Sequence, residues 1–95
     1  MISSKFKEKM KAGEPVIGVF VNIESPTTVE LLGLAGVDFV MVDAEHNTIE
    51  PSTAVHMFRA AEAIGVPALA RIGENTQQVI AKFMDAGCLG VMMPM

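Results

Sequence analysis

The sequence predicts an α/β chain in which strands and helices alternate, the strands parallel and the helices laid over them. Three observations predict it. Short apolar runs begin near residues 16, 38, 67 and 89, at spacings of 22, 29 and 22. Between them lie stretches of helical apolar periodicity, opened by Ser or Pro and closed by Gly. The segment Ala35–Val42 also resembles Ala86–Met93 at an offset of 51 residues, the length of two strand-helix units. Such alternation, with right-handed crossovers, gives a parallel sheet covered by helices.

Each element has a local reason. Ser3 or Ser4 can cap a short amphipathic helix that runs to about Ala12, ended by Gly13 and set apart by Pro15 from the apolar run after it. Val16–Ile23 reads as the first strand. Ser25 caps the next helix, with Pro26 at its first position and Val29, Leu32 and Ala35 on one face. Gly36 closes it where a left-handed residue is wanted. The second strand, Asp38–Asp43, comes at once. Glu50-Pro51-Ser52 opens a helix that stacks Val55, Phe58 and Ala61 or Glu62 and stops at Gly65. Pro67–Ile72 is the third strand, and Gly73-Glu74-Asn75 a loop and cap. The helix over about Thr76–Ala86 turns Val79, Ile80, Phe83 and Met84 inward, Gly87 ends it, and Leu89–Met93 begins a fourth strand. No linker divides the chain, so residues 1–95 read as one domain. Four such strands are half of an eight-stranded barrel, which takes about 250 residues. The apolar ending Leu89–Met95 favours the amino-terminal part of something larger over a small open sheet.

Composition narrows the function. An apolar share of 51% with mean hydropathy +0.41 excludes a disordered chain. Four of the seven basic residues fall in the first 11 positions, and the rest of the chain carries three basic against ten acidic residues. With no Trp or Tyr either, nucleic acid is not the expected partner. The lysines mark the solvated face of the first helix. Apolar runs are too short to span a bilayer, and no apolar segment of signal-peptide type comes after Lys5–Lys11. The single cysteine, Cys88, suits a reducing compartment, so a cytoplasmic protein without a membrane anchor is expected. Cys88 itself reads as a packed small hydrophobe.

Chemistry is expected at the carboxyl ends of the strands, where parallel sheets and barrels gather their polar groups. Glu24 stands after the first strand, Asp43, Glu45 and His46 at the second, Arg71 and Glu74 at the third. His46, three residues after Asp43, suits a base oriented by a carboxylate, or else a loop histidine bonded to a nearby acid. Arg71 presents a planar fork that matches a substrate carboxylate, or is consumed in a salt bridge to Asp43, Glu45 or Glu74. His56 lies in a helix and reads as surface or packing. A Schiff-base mechanism needs a lysine on a strand inside the site. Lys82 lies on a helix and the other lysines precede the first strand. Carbanion chemistry would then need a metal. Glu24, Asp43, Glu45 and Glu74 are oxygen donors without a specific ligand spacing, and no zinc spacing, phosphate loop or dinucleotide fingerprint is present.

The motifs Pro-Val-Ile-Gly-Val-Phe (15–20), Ser-Pro (25–26), Glu30, Ala-Gly-Val-Asp-Phe-Val-Met-Val-Asp-Ala-Glu-His (35–46), Val-Pro-Ala-Leu-Ala-Arg-Ile (66–72) and Asp-Ala-Gly-Cys-Leu-Gly-Val-Met-Met-Pro-Met (85–95) resemble the HpcH/HpaI aldolase family. These are metal-dependent class II pyruvate aldolases related to citrate lyase β subunits. The resemblance implies a TIM-type (β/α)₈ barrel of which this chain is about the first four βα units, a half barrel. It implies a divalent cation, Mg²⁺ or Mn²⁺, with ligands expected on later strands and none in this chain. It also implies that His46 is the catalytic base, Asp43 its partner and Arg71 the residue that holds the pyruvate carboxylate and oxo group, with Glu45 in a supporting position in the same motif. Asn47 stands where the family commonly has glycine, and Phe20 where tryptophan is common.

The expected activity is reversible cleavage of a 4-hydroxy-2-oxo acid into pyruvate and an aldehyde, in a homo-oligomer acting on small 2-oxo acids. The alternative is a non-catalytic βα module that self-associates through its open sheet edge. A lyase of the citrate or malyl-CoA type would need a CoA-binding surface that these residues do not present.

Overall fold

β2 (Phe39–Asp43) lies at the centre of the fold because its residues are apolar on both faces up to the terminal carboxylate, as a strand buried on both sides requires. The structure, a computed structural model, describes residues 4–46 and 49–93. Ser3, Asn47, Thr48, Pro94 and Met95 lie outside the described residues, as do the side chains of Ser4 and Lys5. In chain order the other elements are α1 (Ser4–Lys11), β1 (Gly18–Val21), α2 (Pro26–Ala35), α3 (Pro51–Ala63), β3 (Ala68–Arg71), α4 (Gln77–Ala86) and β4 (Val91–Met92). The four strands form one parallel sheet in the order β1-β2-β3-β4. The expected α/β alternation is therefore present, with the first four strands of the repeat side by side. No helix is long and apolar enough to cross a membrane among the described residues.

The helix boundaries reflect their caps. Ser25 Oγ accepts from Thr28 N at 3.1 Å and Pro26 opens α2; Gly36, at φ 104°, turns the chain directly into β2. α4 starts one residue later than the loop pattern suggested. Thr76, not Asn75, is its cap, accepting from Val79 N at 3.3 Å. β1 is shorter than the apolar run Val16–Ile23 because its lower end pairs through a side chain: Ile17 N donates to Asp38 Oδ2 at 2.8 Å. Lys9 Nζ meets the other oxygen of Asp38 at 2.9 Å, and the Phe6 ring packs edge-on against Phe39. These contacts dock α1 beneath the amino ends of the strands.

The core lies between the sheet and α2–α4. Val21, Val40, Val42, Ala68 and Ala70 face Val29, Met57, Phe58 and Phe83. The buried stripe of α3 is Ala54, Met57, Phe58 and Ala61, not Val55 and Glu62 as its larger residues suggested. The alanines let α3 approach the sheet closely. Ala35 and Met84, expected inward, are exposed. Gly33 permits the close approach of α2 to α3, since a Cβ there would overlap the Ile64 side chain. Cys88 is buried as expected, with Sγ 3.7 Å from Met84 Sδ, and burial pushes its thiol pKa up.

Candidate active site

Alternation along each strand sends every second side chain to the face away from the helices. On β2 that set ends in Asp43, on β3 in Arg71 and on β1 in Phe20; the register pairs Asp43 with Arg71 and Phe20 with Met41. Three strands thus deliver three side chains to one patch at the carboxyl rim.

Asp43 is only 4% exposed and its two oxygens are fully committed. Oδ2 accepts from Arg71 Nη2 at 2.7 Å and Oδ1 from Arg71 Nε at 3.3 Å. Oδ1 also accepts from the backbone N–H groups of Glu45, at 3.0 Å, and His46, at 3.1 Å, so the carboxylate fixes the turn after β2. The hydrogen-bonded guanidinium holds the Asp43 carboxyl pKa down to about 2, against the opposing effect of burial and with help from the two backbone donors. The same pairing raises the Arg71 pKa.

Asp43 takes Arg71 by its side edge, through Nε and Nη2. Nη1 has no partner among the described residues. The end-on fork of a guanidinium, Nη1 with Nη2, is a second edge on which a carboxylate can be received. The expected alternative, an internal salt bridge, is therefore present without exhausting the donors. Glu45 Oε1 lies 3.6 Å from Arg71 Nε and 3.5 Å from His46 Nε2, between the guanidinium and the imidazole.

His46 lies at the same rim with its side chain 64% exposed. Its imidazole neighbours Glu45, whereas Asp43 contacts only its backbone N–H. The expected Asp43–imidazole pair thus differs from the observed geometry, because Asp43 turns inward to Arg71. Glu24 and Glu74 are exposed and do not join the cluster among the described residues, and His56 is exposed on α3 as expected. Spacing alone missed Phe20, whose ring centroid is 4.4 Å from Arg71 Cζ. The signal was available: Phe20 lies next to the end of β1, two strands from Arg71, on the same face of the sheet. No group of three or more His, Cys, Asp or Glu side chains is placed to hold a metal among the described residues. The donors present do not form a cation site by themselves.

The sequence profile of the HpcH/HpaI aldolase/citrate lyase family matches residues 16–95. The chain belongs to this family. It is 31% identical over 91 residues to a hydroxypyruvate/pyruvate aldolase of Sagittula stellata, and 31% identical over 91 residues to a 5-keto-4-deoxy-D-glucarate aldolase of Salmonella paratyphi A. Both matches cover 96% of this chain, which spans only 36% of the length of each relative. Among solved structures, citrate synthase SbnG superposes with a TM-score of 0.85 at 34% identity, covering 94% of this chain and 36% of that one. An HpcH/HpaI aldolase from Desulfitobacterium hafniense gives 0.84 at 31% identity, over 93% of this chain and 34% of the other. The four parallel strands are accordingly a part of a TIM-type barrel, and this HpcH/HpaI segment carries the rim formed by its first three strand ends.

Proposed function

We propose that this segment supplies the substrate-carboxylate and proton-transfer side of an aldolase site that cleaves 4-hydroxy-2-oxo acids to pyruvate and an aldehyde. The observation that carries the reading is Arg71, anchored side-on by Asp43 with Nη1 left open beside the His46 rim. The relatives' names, which speak of hydroxypyruvate, pyruvate and a keto-deoxy-glucarate, support a 2-oxo acid as substrate. In this reading the Arg71 fork binds the substrate carboxylate and faces the oxo oxygen, where negative charge develops as the C3–C4 bond breaks. His46 takes the proton of the 4-hydroxyl as the aldehyde forms. Glu45 steadies the imidazole through its nearer oxygen. The family resemblance assigns a divalent cation, Mg²⁺ or Mn²⁺, to the electrophilic part of the reaction, with its ligands expected outside this chain. A homo-oligomer in the cytoplasm is the proposed setting, in keeping with the single buried thiol.

Titration of pyruvate with Mg²⁺ into the chain, monitored by calorimetry, tests this. Saturable binding is expected, weakened about 10- to 100-fold in Arg71→Ala, as loss of a charged hydrogen-bond pair implies. His46→Ala should keep that binding and lose cleavage of a 4-hydroxy-2-oxo acid, the step in which the 4-hydroxyl proton must leave. Equal affinity in Arg71→Ala would sink the role of the guanidinium.

The second reading, a self-associating βα module, is favoured by one observation: the face opposite the helices exposes Phe20 and Met92. Light scattering that shows a monomer excludes it.

A further inference from the structure

Besides the longer Glu45 approach at 3.6 Å, two contacts bear on the Arg71 guanidinium, and they act in different directions. Asp43 grips one edge through Nε and Nη2, which fixes a line but lets the plane of the group rock about it. Arg71 Cζ lies over the Phe20 ring, 4.4 Å from its centroid, so the ring limits that rocking. The ring is brought there by the sheet order, since β1 and β3 flank β2 and both side chains lean over it from the same side. Phe20 is 50% exposed, far from the burial of a residue held for its contribution to the core. Its ring neighbours are Gly18, Phe39, Met41 and Met92, which line a shallow apolar cavity with it and offer no hydrogen-bonding side chain except the weakly accepting thioethers.

The geometry points to Phe20 as a positioning residue that acts through Arg71: its ring sets the guanidinium plane so that the end-on fork receives a planar 2-oxo carboxylate. This deepens the proposed aldolase reading and rests on it for the ligand. The ring–cation contact is a separate physical statement that can be tested without substrate. With the ring beside Cζ and one edge closed by Asp43, the Nη1 end is the open approach. A 2-oxo acid, whose carboxylate and oxo groups can share a plane, fits that approach better than a tetrahedral phosphate or sulfonate.

The chain contains only two arginines, Arg59 and Arg71, so their Nε–Hε signals can be compared directly in a ¹H–¹⁵N spectrum of the full chain. Arg59 is exposed on α3 and serves as the internal reference. The Arg71 Hε also donates to Asp43, so the ring current is read as a change: Phe20→Leu should move the Arg71 signal to higher frequency relative to Arg59. Phe20→Leu should remove the ring-current shift and weaken pyruvate binding about 3- to 30-fold, and Phe20→Trp should restore both, because Trp presents the strongest cation-binding face. A purely structural role would not be rescued by this pattern. The proposal is overturned if Phe20→Leu, shown to be folded by an unchanged Arg59 signal, leaves the Arg71 signal at its wild-type position. It is equally overturned if Phe20→Leu shifts the Arg71 signal while pyruvate affinity stays unchanged. Should the wild-type chain bind no pyruvate, the aldolase reading fails, and the Arg71 signal alone decides whether the ring fixes the guanidinium.

Discussion

The two faces of the sheet are built from different residues for different tasks. The face under the helices carries Val21, Val40, Val42, Ala68 and Ala70, small or β-branched side chains packed against Met57, Phe58 and Phe83. The opposite face carries Gly18, Phe20, Phe39, Met41, Leu69 and Met92, and ends in the Asp43–Arg71 pair. The first face buries its residues and shapes no polar group. The second leaves Phe20 and Met92 half in solvent and concentrates charge at its rim. The difference teaches that stability and chemistry are separated by strand parity: odd and even positions along one strand answer to different demands.

Substitutions that break the covered face should therefore cost the most stability. Phe58 is buried between α3, the sheet and the Gly87 turn. Phe58→Ala should lower the free energy of unfolding by about 4 kcal/mol, a large fraction of what a small domain possesses. Urea unfolding monitored by circular dichroism measures it. A loss below about 1 kcal/mol would mean that the helices pack loosely on the sheet.

At the rim the same comparison takes an electrostatic form. Asp43→Ala leaves the Arg71 edge and two backbone N–H groups without their acceptor, at a cost of about 3 kcal/mol at neutral pH. Part of that depends on pH. The Asp43 pKa is lowered from 3.8 to about 2 in the folded chain, so the folded state favours its charged form. The corresponding stabilisation, about 2 kcal/mol, is present above about pH 4 and disappears as pH falls towards about 2. The gap between wild type and Asp43→Ala in urea midpoint should accordingly narrow from pH 5 to pH 2.5. A gap that stays constant would show that the folded chain does not favour the charged form of Asp43.

Much of this architecture was legible in the amino acids because its signals are local. Ser25-Pro26 starts α2, and Gly36 and Gly87 stop their helices in left-handed conformations that other residues resist. The run ending in Asp43 marks β2 and its carboxyl end. The site was legible in place and in one of its pairs, the Arg71–Asp43 bridge that was one of the two readings of Arg71. His46 three residues after Asp43 suggested a carboxylate–imidazole pair, yet strand parity turns Asp43 inward to Arg71 and leaves Glu45 beside the imidazole. Side-chain direction at a strand end depends on the turn beyond it, and Asp43 itself builds that turn through the Glu45 and His46 N–H groups. The stripe of α3 was read only in part for another reason: Ala54 and Ala60 carry little hydrophobic signal, but their small size is what admits the helix to the sheet.

The smallest expected effect is the one that defines the open face. Met92 ends the two-residue edge strand β4, 44% exposed, with its backbone carbonyl taken by Ile72 N at 3.0 Å. Met92→Thr keeps that backbone bond and a β-compatible side chain while removing apolar surface that solvent already reaches. The change should stay within about 0.5 kcal/mol of wild type by urea unfolding, as for other exposed positions. The covered face supplies the contrast, since a comparable apolar deletion there opens a cavity. A cost above about 1.5 kcal/mol that grows with protein concentration would place Met92 in a covered interface. The open face would then be a contact between copies of the chain, and the exposed Phe20 ring beside it would be shielded together with Arg71.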